Sequence, residues 1–556
     1  MVKEVRIEKK NTEKKEKHSR SGFSLVTGKA IKKLRVYGRA IANTAILAWK
    51  YNARKDPNAF HHLLNDLYRA LPPNKTKVLK VPVISPKLYP PQIVQEVVAI
   101  GNAPILLAIE QIPCSQSNQT WYTQHPDKPK IKRGRAFSSI LEAIGMGVLT
   151  ANEEIHNAFL NQMHSLSFAS LNNPNAIHHE FQTNTLEVIT NETNALIKQI
   201  EERSASNEPI EIDFLVFSLK ILLKSFYPNT EWNDEAWIGR LARAIEEVSH
   251  QAFKHIMDPY SNMEKLRQIA AAHLDEYIDK ILEDNKPAYL TPEYVRDTST
   301  EIKKQIIIAL LFAGGDNIRR LIEHCLVEFG QQGTFKKYFA DGVAYSDLLT
   351  YMKEVERLYT IIFAQPGEAE ESFTIEYEGE RFKVKAGDHL HYTTWIATTD
   401  EKEWGPHARE FNPEANKDKH AELQADLTFG AKQRRCRGKI FTHKVAPELL
   451  MAIMNQFEIR SYVGGNEGVH PIKYDFNTEV DGAVKIRYTR RLQQTIEKEV
   501  VEDEARQPVN GSRVTTNYKG LAEKSFICQL NKSSSTEESD AMEVEAERAE
   551  SFISLN

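Results

Sequence analysis

A mainly α-helical protein with a small β portion is what the chain predicts, and three observations carry that expectation. Apolar residues recur at spacings of three and four over 136–169, 178–203, 211–226, 234–257, 262–284, 293–330 and 346–361, which is the period of helices with one buried face. Period-two alternation is confined to two later stretches, 373–387 and about 457–490, and this reads as strand. No Pro/Gly/Ser linker long enough to separate domains interrupts the globular stretch 51–505, and nothing repeats at a fixed period.

Taken in order, residues 1–50 form an extension that is dense in Lys, Arg and Glu over its first 35 positions and shows little apolar periodicity, so no chemistry is assigned to it. The seven helical segments follow. FTIEYEGERFKVKAG, at 373–387, alternates about Glu378-Gly379 and reads as a hairpin. A turn-rich stretch from Trp404 to Phe429 is punctuated by Gly405-Pro406 and Asn412-Pro413. A last helix is expected over about 437–456, before the strands ending in AVKIRYTRR. Residues 506–556 read as a disordered tail, acidic at its end, where Ser533 to Asn556 holds seven acids against one base, Arg548.

With 72 Lys+Arg against 76 Asp+Glu the formal charge is −4, which leaves no bias toward coating nucleic acid or an anionic membrane. At 41% hydrophobic residues a large core can form. No apolar run approaches the ~18 residues of a membrane span, and the first residues lack a secretory signal pattern, so a cytoplasmic protein is expected. The cysteines Cys114, Cys325, Cys436 and Cys528 stand far apart with no CxxC pair, which argues against a disulfide framework or a zinc site. HExxH, GxxxxGK[ST] and GxSxG motifs are absent, as is G-x-G-x-x-G after a strand.

Cys436 stands out from the other three. It lies in TFGAKQRRCRGKIF with five bases, Lys432, Arg434, Arg435, Arg437 and Lys439, within four positions, and such a field favours a thiolate. A lone cysteine is ordinarily a small core residue. Here an apolar helix follows at once, so the loop delivers the sulfur to the foot of a helix, as a thiolate is presented to haem iron. The loop resembles that of the cytochrome P-450 superfamily, F-x-x-G-x-R-x-C-x-G, at Phe429, Arg434, Cys436 and Gly438. Lys432 takes the usual glycine position.

Three further stretches fit the same resemblance in the same order. QIIIALLFAGGDNIRRLIEHCLVEF breaks an apolar helix with Gly314-Gly315. Each glycine there costs about 1 kcal/mol relative to alanine, so a local distortion beside Asp316-Asn317 is expected, able to hold water or pass protons. The family's distal helix reads A/G-G-x-D/E-T, which Ala313, Gly314 and Asp316 match and Asn317 replaces at threonine. Glu354 and Arg357 lie three apart on one helical face, about 80 residues before the cysteine, where the family carries its E-x-x-R ion pair. Phe411, Pro413 and Glu414 fit F-x-P-E-R-F, with Ala415 at the second arginine unless Arg409 substitutes. His156 matches the first position of H-x-x-x-R, and Leu160 takes the last.

The resemblance runs from about 55 to 490. It implies a single large cytochrome P-450-like domain binding haem b through Cys436 as the iron ligand, with Phe429, Arg434, Gly438 and His156 around the cofactor. Asp316, Asn317 and Gly314 would serve catalysis, and Glu354 with Arg357 would form a structural ion pair. The activity implied is a monooxygenase acting on an apolar small molecule, with electrons from an acidic ferredoxin- or flavodoxin-type partner and no nucleic-acid partner. Two alternatives stand beside it: a peroxide-using or isomerising enzyme, and a degenerate member that binds a ligand or protein without redox turnover. The glutamate block followed by the short end SFISLN also resembles the carboxy-terminal signals of bacterial type IV secretion effectors, an address for export.

Overall fold

The computed structural model describes residues 5–9, 59–72, 75–84, 94–112, 114–115, 118–151, 153, 155–156, 159, 178–228, 232, 234–257, 262–283, 298–362, 364–420, 427–430, 435–474 and 477–491. The acidic tail, and with it the expected export address, lies outside them, as do Leu160, Lys432 and Arg434. Helices dominate the described residues and sheets are small. None of these helices is long and apolar enough to cross a membrane.

The expected helices over 178–203, 211–226, 234–257, 262–284, 346–361 and 437–456 correspond to His179–Arg203, Phe214–Phe226, Glu235–Met257, Met263–Leu282, Tyr345–Leu358 and Lys439–Gln456. Phe214–Phe226 shows why they form. Asp213 caps it by accepting from the Val216 amide at 3.0 Å, and its largely apolar sequence is buried on nearly all sides. It packs in the main core with Phe181, Leu241, Leu326 and Leu450. The stretch 293–330 is seen as Thr300–Ala309 and Asn317–Phe329 joined by a π-helical turn over Leu310–Asp316.

Expectation and structure part at three places. The helix expected over 136–169 is broken after Ala143, because Gly145 takes φ +85°, a left-handed conformation that stops a helix, and helix is seen again at Glu153, Ile155, His156 and Phe159. The charged extension is not wholly outside the fold, since Arg6–Lys9 adds an antiparallel edge to the hairpin formed by Phe373–Tyr377 and Glu380–Val384. That hairpin turns where expected, with Glu378 and Gly379 both at positive φ. The largest sheet went unforeseen. Its five strands run Val78–Ile84, Val94–Ile100, His389–Tyr392, Gln365–Ala369, Ile131–Arg133, and its one parallel contact joins Val94–Ile100 to His389–Tyr392. Val94–Ile100 is apolar at most positions rather than alternating, so period two does not find it.

After the Lys439–Gln456 helix, Phe457–Val463 pairs antiparallel with Val484–Arg490. Between them a two-stranded ribbon, Ile472–Tyr474 with Thr478–Val480, lies against the Asn317–Phe329 helix. Arg320 reaches Glu479 at 2.6 Å, and His470 lies 3.2 Å from Glu328.

Candidate functional site

Cys436 precedes the Lys439–Gln456 helix. Gly430, at φ +76°, turns the chain so that the Phe429 carbonyl accepts the Cys436 amide at 2.6 Å. The Thr442 amide then donates to the Gly438 carbonyl at 2.8 Å, which begins the helix. Backbone amides of Gly438 and Lys439 donate to the sulfur. The side chain is exposed, yet protein crowded around it pushes the thiol up, and the two amides with the charges of Arg437 and Lys439 only partly offset this. The basic field favours ionisation as expected, through Arg437 and Lys439, but the crowding around the sulfur outweighs it. A bound cation is what would complete the ionisation.

Behind this loop stands the Tyr345–Leu358 helix. His443 packs edge-on against Phe429 at 5.2 Å between ring centroids and contacts Glu356 at 2.7 Å. One position along, Arg357 forks onto Glu354 through Nε (2.9 Å) and Nη2 (2.7 Å). The same guanidinium donates to the carbonyls of Thr398 (2.9 Å), Ala408 and Glu410 (3.2 Å). Both side chains are fully buried. Ala415 leaves no gap in this network, because Asn416 donates to Glu354 at 3.0 Å and His420 Nε2 lies 2.9 Å from it. The Asn412 amide adds a further bond at 2.9 Å. Arg409 is exposed, so the two buried residues from Pro413–Lys419 and its end do what a second arginine was expected to do. Burial would raise the Glu354 carboxyl, but Arg357, His420 and the Asn412 amide together hold it at about 2.

On the other side of the core the Gly314-Gly315 pair lies in the π-helical turn, so the predicted distortion is present. Packing uses the same glycines: a Cβ on Gly314 would stand 3.1 Å from Leu222, and one on Gly315 2.9 Å from Leu219. Asp316 differs from expectation. Its Oδ1 is held by Arg319 at 2.7 Å and its Oδ2 by Arg320 at 2.9 Å. Burial alone would raise this carboxyl, and the two guanidiniums bring it below its ordinary value. An acid so clamped is a fixed anion and not a proton carrier. Asn317, half-buried, donates through Nδ2 to the Ala313 carbonyl at 2.9 Å.

His156 is buried and bonds the Val148 carbonyl through Nδ1 at 3.3 Å. Burial lowers its pKa, and Arg133 and Arg437 lower it further, so two cationic side chains stand near this imidazole. The Nε of Arg437 is buried with no hydrogen-bond partner. The sequence marked Arg437 only as one of the five bases around the cysteine. The structure brings it toward His156, and a buried guanidinium donor of this kind suits a carboxylate. No group of three or more metal-ligating side chains occurs among the described residues, and an iron held by one cysteine needs none. Compared with known proteins, the chain matches no family model and no curated sequence.

Proposed function

We propose that the chain is a cytochrome P-450-like haem-thiolate monooxygenase, inserting one oxygen atom of O2 into an apolar organic substrate with electrons from a separate acidic ferredoxin- or flavodoxin-type donor. The observation that carries this reading is the presentation of Cys436: an exposed sulfur ahead of a helix, taking two backbone N–H bonds, backed by a loop tied to the Glu354–Arg357 helix. The exposed Cys436 sulfur and the unpartnered Arg437 Nε would suit haem b. When bound, haem supplies oxygen activation at an iron made electron-rich by its thiolate ligand.

The chain's own groups then have distinct tasks. The Gly438 and Lys439 amides spread charge on the sulfur and fix its direction. Arg437, with its unpartnered Nε, and His156 would hold carboxylates of the porphyrin. The Glu354–Arg357 network locks three carbonyls of the 398–410 segment against the helix behind the cysteine loop. Asn317, rather than Asp316, is the group able to hold water at the opened turn. The basic residues of the cysteine loop would steer an acidic donor.

One observation favours a second reading. With both oxygens of Asp316 taken by arginines, proton delivery from that acid is lost, and a peroxide-using or isomerising reaction does not require it. The deciding measurement is the absorbance difference spectrum of the reduced protein with and without carbon monoxide, beside Cys436→Ala. A strongly red-shifted Soret band that disappears in the variant supports thiolate-ligated haem. Protein that takes up no haem when supplied with it overturns both readings, and turnover with peroxide alone selects the second.

A further inference from the structure

The side chain of Asn317 stands where its own backbone amide would bond in a regular α-helix. Its N–H goes to the Gly314 carbonyl, and Nδ2 of the side chain donates to Ala313 at 2.9 Å. A hydroxyl at this position could satisfy that carbonyl by rotating. An amide has two ends, and the oxygen end would repel the carbonyl. The carbonyl therefore selects the Nδ2 end, and a second contact is needed to hold it there.

We propose that Asn477, at the turn of the 472–480 ribbon, is the positioning residue that holds the Asn317 amide in this orientation. Its Nδ2 donates to Asn317 Oδ1 at 2.8 Å. The polarity of the chain is fixed from the carbonyl outward: Ala313 accepts, so Asn317 presents Nδ2 to it and Oδ1 to Asn477, which must answer with Nδ2. This leaves the Asn477 Oδ1 buried without a hydrogen-bond partner, a strained arrangement of the kind kept where orientation matters. The ribbon that carries Asn477 is pinned independently by Arg320–Glu479 and Glu328–His470, so Asn477 is held in place by contacts other than the one it makes to Asn317. With the amide so directed, its second N–H remains to hold a water or an oxygen-bearing ligand beside the opened turn. That last step rests on the proposed function; the hydrogen-bond chain does not.

The test is a four-way comparison of the wild-type protein, Asn477→Ala, Asn317→Thr and the double variant, with Asn477→Asp as a second probe of the same position. Imidazole affinity, read from the Soret shift of the ferric protein, is the first readout. Removing the Asn477 donor is expected to change that affinity about fivefold, the size of one hydrogen bond, and less than twofold once Asn317→Thr is present. Equal changes in both backgrounds, or no change in either, overturn the proposal. Should the protein hold no haem, the functional reading falls on its own, and the same four proteins are compared by melting temperature. A loss from Asn477→Ala that shrinks by more than half in the Asn317→Thr background then supports the chain, and additive losses overturn it.

Discussion

Two buried carboxylate–arginine clusters lie at helical spacing in this molecule, and their partners separate them. Arg357 spends its guanidinium on Glu354 and three backbone carbonyls. Arg320 and Arg319 spend theirs on side chains only: Asp316, Glu479, Glu323 and Glu246. The first cluster thus holds loop backbone through three carbonyls, whereas the second joins elements already built by their own helices and ribbon. A network that satisfies backbone is a bolt, and one made of side chains is an adjustable clamp.

Arg357→Ala should produce the largest effect. It leaves Glu354 charged, buried and short of its strongest partner, and uncovers carbonyls at 398, 408 and 410, for a loss of about 3–5 kcal/mol in denaturant unfolding. The comparison sharpens with apolar double replacements. Glu354→Leu with Arg357→Met removes both charges but not the orphaned carbonyls, so it should recover little. Asp316→Leu with Arg320→Met leaves Glu479 with Lys473 at 2.7 Å and Arg319 with Glu323, so its loss should stay near 1–2 kcal/mol, on the order of one charged hydrogen bond. Equal losses from the two double variants would erase the distinction.

A third buried carboxylate shows what happens without an arginine. Glu448 is buried in the Lys439–Gln456 helix, and burial raises its pKa to about 7 because the charge of Lys444 only partly counters it. The folded state therefore holds a proton that the unfolded chain releases above its ordinary value of 4.5, and stability falls as pH rises from there through 7. Glu448→Gln should then raise the melting temperature at pH 8, by about 1–2 kcal/mol of stability, and leave it unchanged at pH 4. Glu354 runs the other way. Its carboxyl is held at about 2, so its contribution is complete above about 4.5 and drains away as pH falls toward 2. Wild-type melting curves from pH 2 to 5, set against Glu354→Gln, measure that slope, which a Glu354 titrating in the ordinary range would not give.

What was legible in the sequence follows from the same contrast. The E-x-x-R spacing is local, and a helix puts both ends on one face, so Glu354 and Arg357 could be paired before any fold was known. The Gly314-Gly315 break was legible for the same reason. Asn416 and His420 were not, because they meet Glu354 across about sixty residues through a turn-rich segment with no period to read. Nor was Asn477, 160 residues beyond its partner, nor the five-stranded sheet, whose strands come from four separate regions of the chain. For Asp316 the glycines mark the position, but the role is set by Arg319 and Arg320, three and four residues on, at the spacing of an intrahelical clamp.

The smallest effect separates the two uses of those glycines. Alanine in a helix gains up to about 1 kcal/mol over glycine, and overpacking a tight contact loses about 1–3 kcal/mol. At Gly314 a Cβ meets Leu222 at 3.1 and 3.3 Å, contacts at flexible methyl ends, so Gly314→Ala should be near neutral. At Gly315 the Cβ stands 2.9 Å from Leu219 with Leu215 at 3.6 Å behind it, so Gly315→Ala should lose about 1 kcal/mol net. If packing against the Phe214–Phe226 helix is the whole reason for the pair, Leu219→Ala should lose less in the Gly315→Ala background than alone, because the new methyl fills part of the space it leaves. If the π-helical turn is what needs glycine, both alanine variants tighten the helix, the Asn317 side chain loses the Ala313 carbonyl to its own backbone amide, and Asn477→Ala becomes silent in either one. The size of the Asn477 effect, measured in the two glycine variants, therefore reports on the turn where stability alone reports only on the leucines.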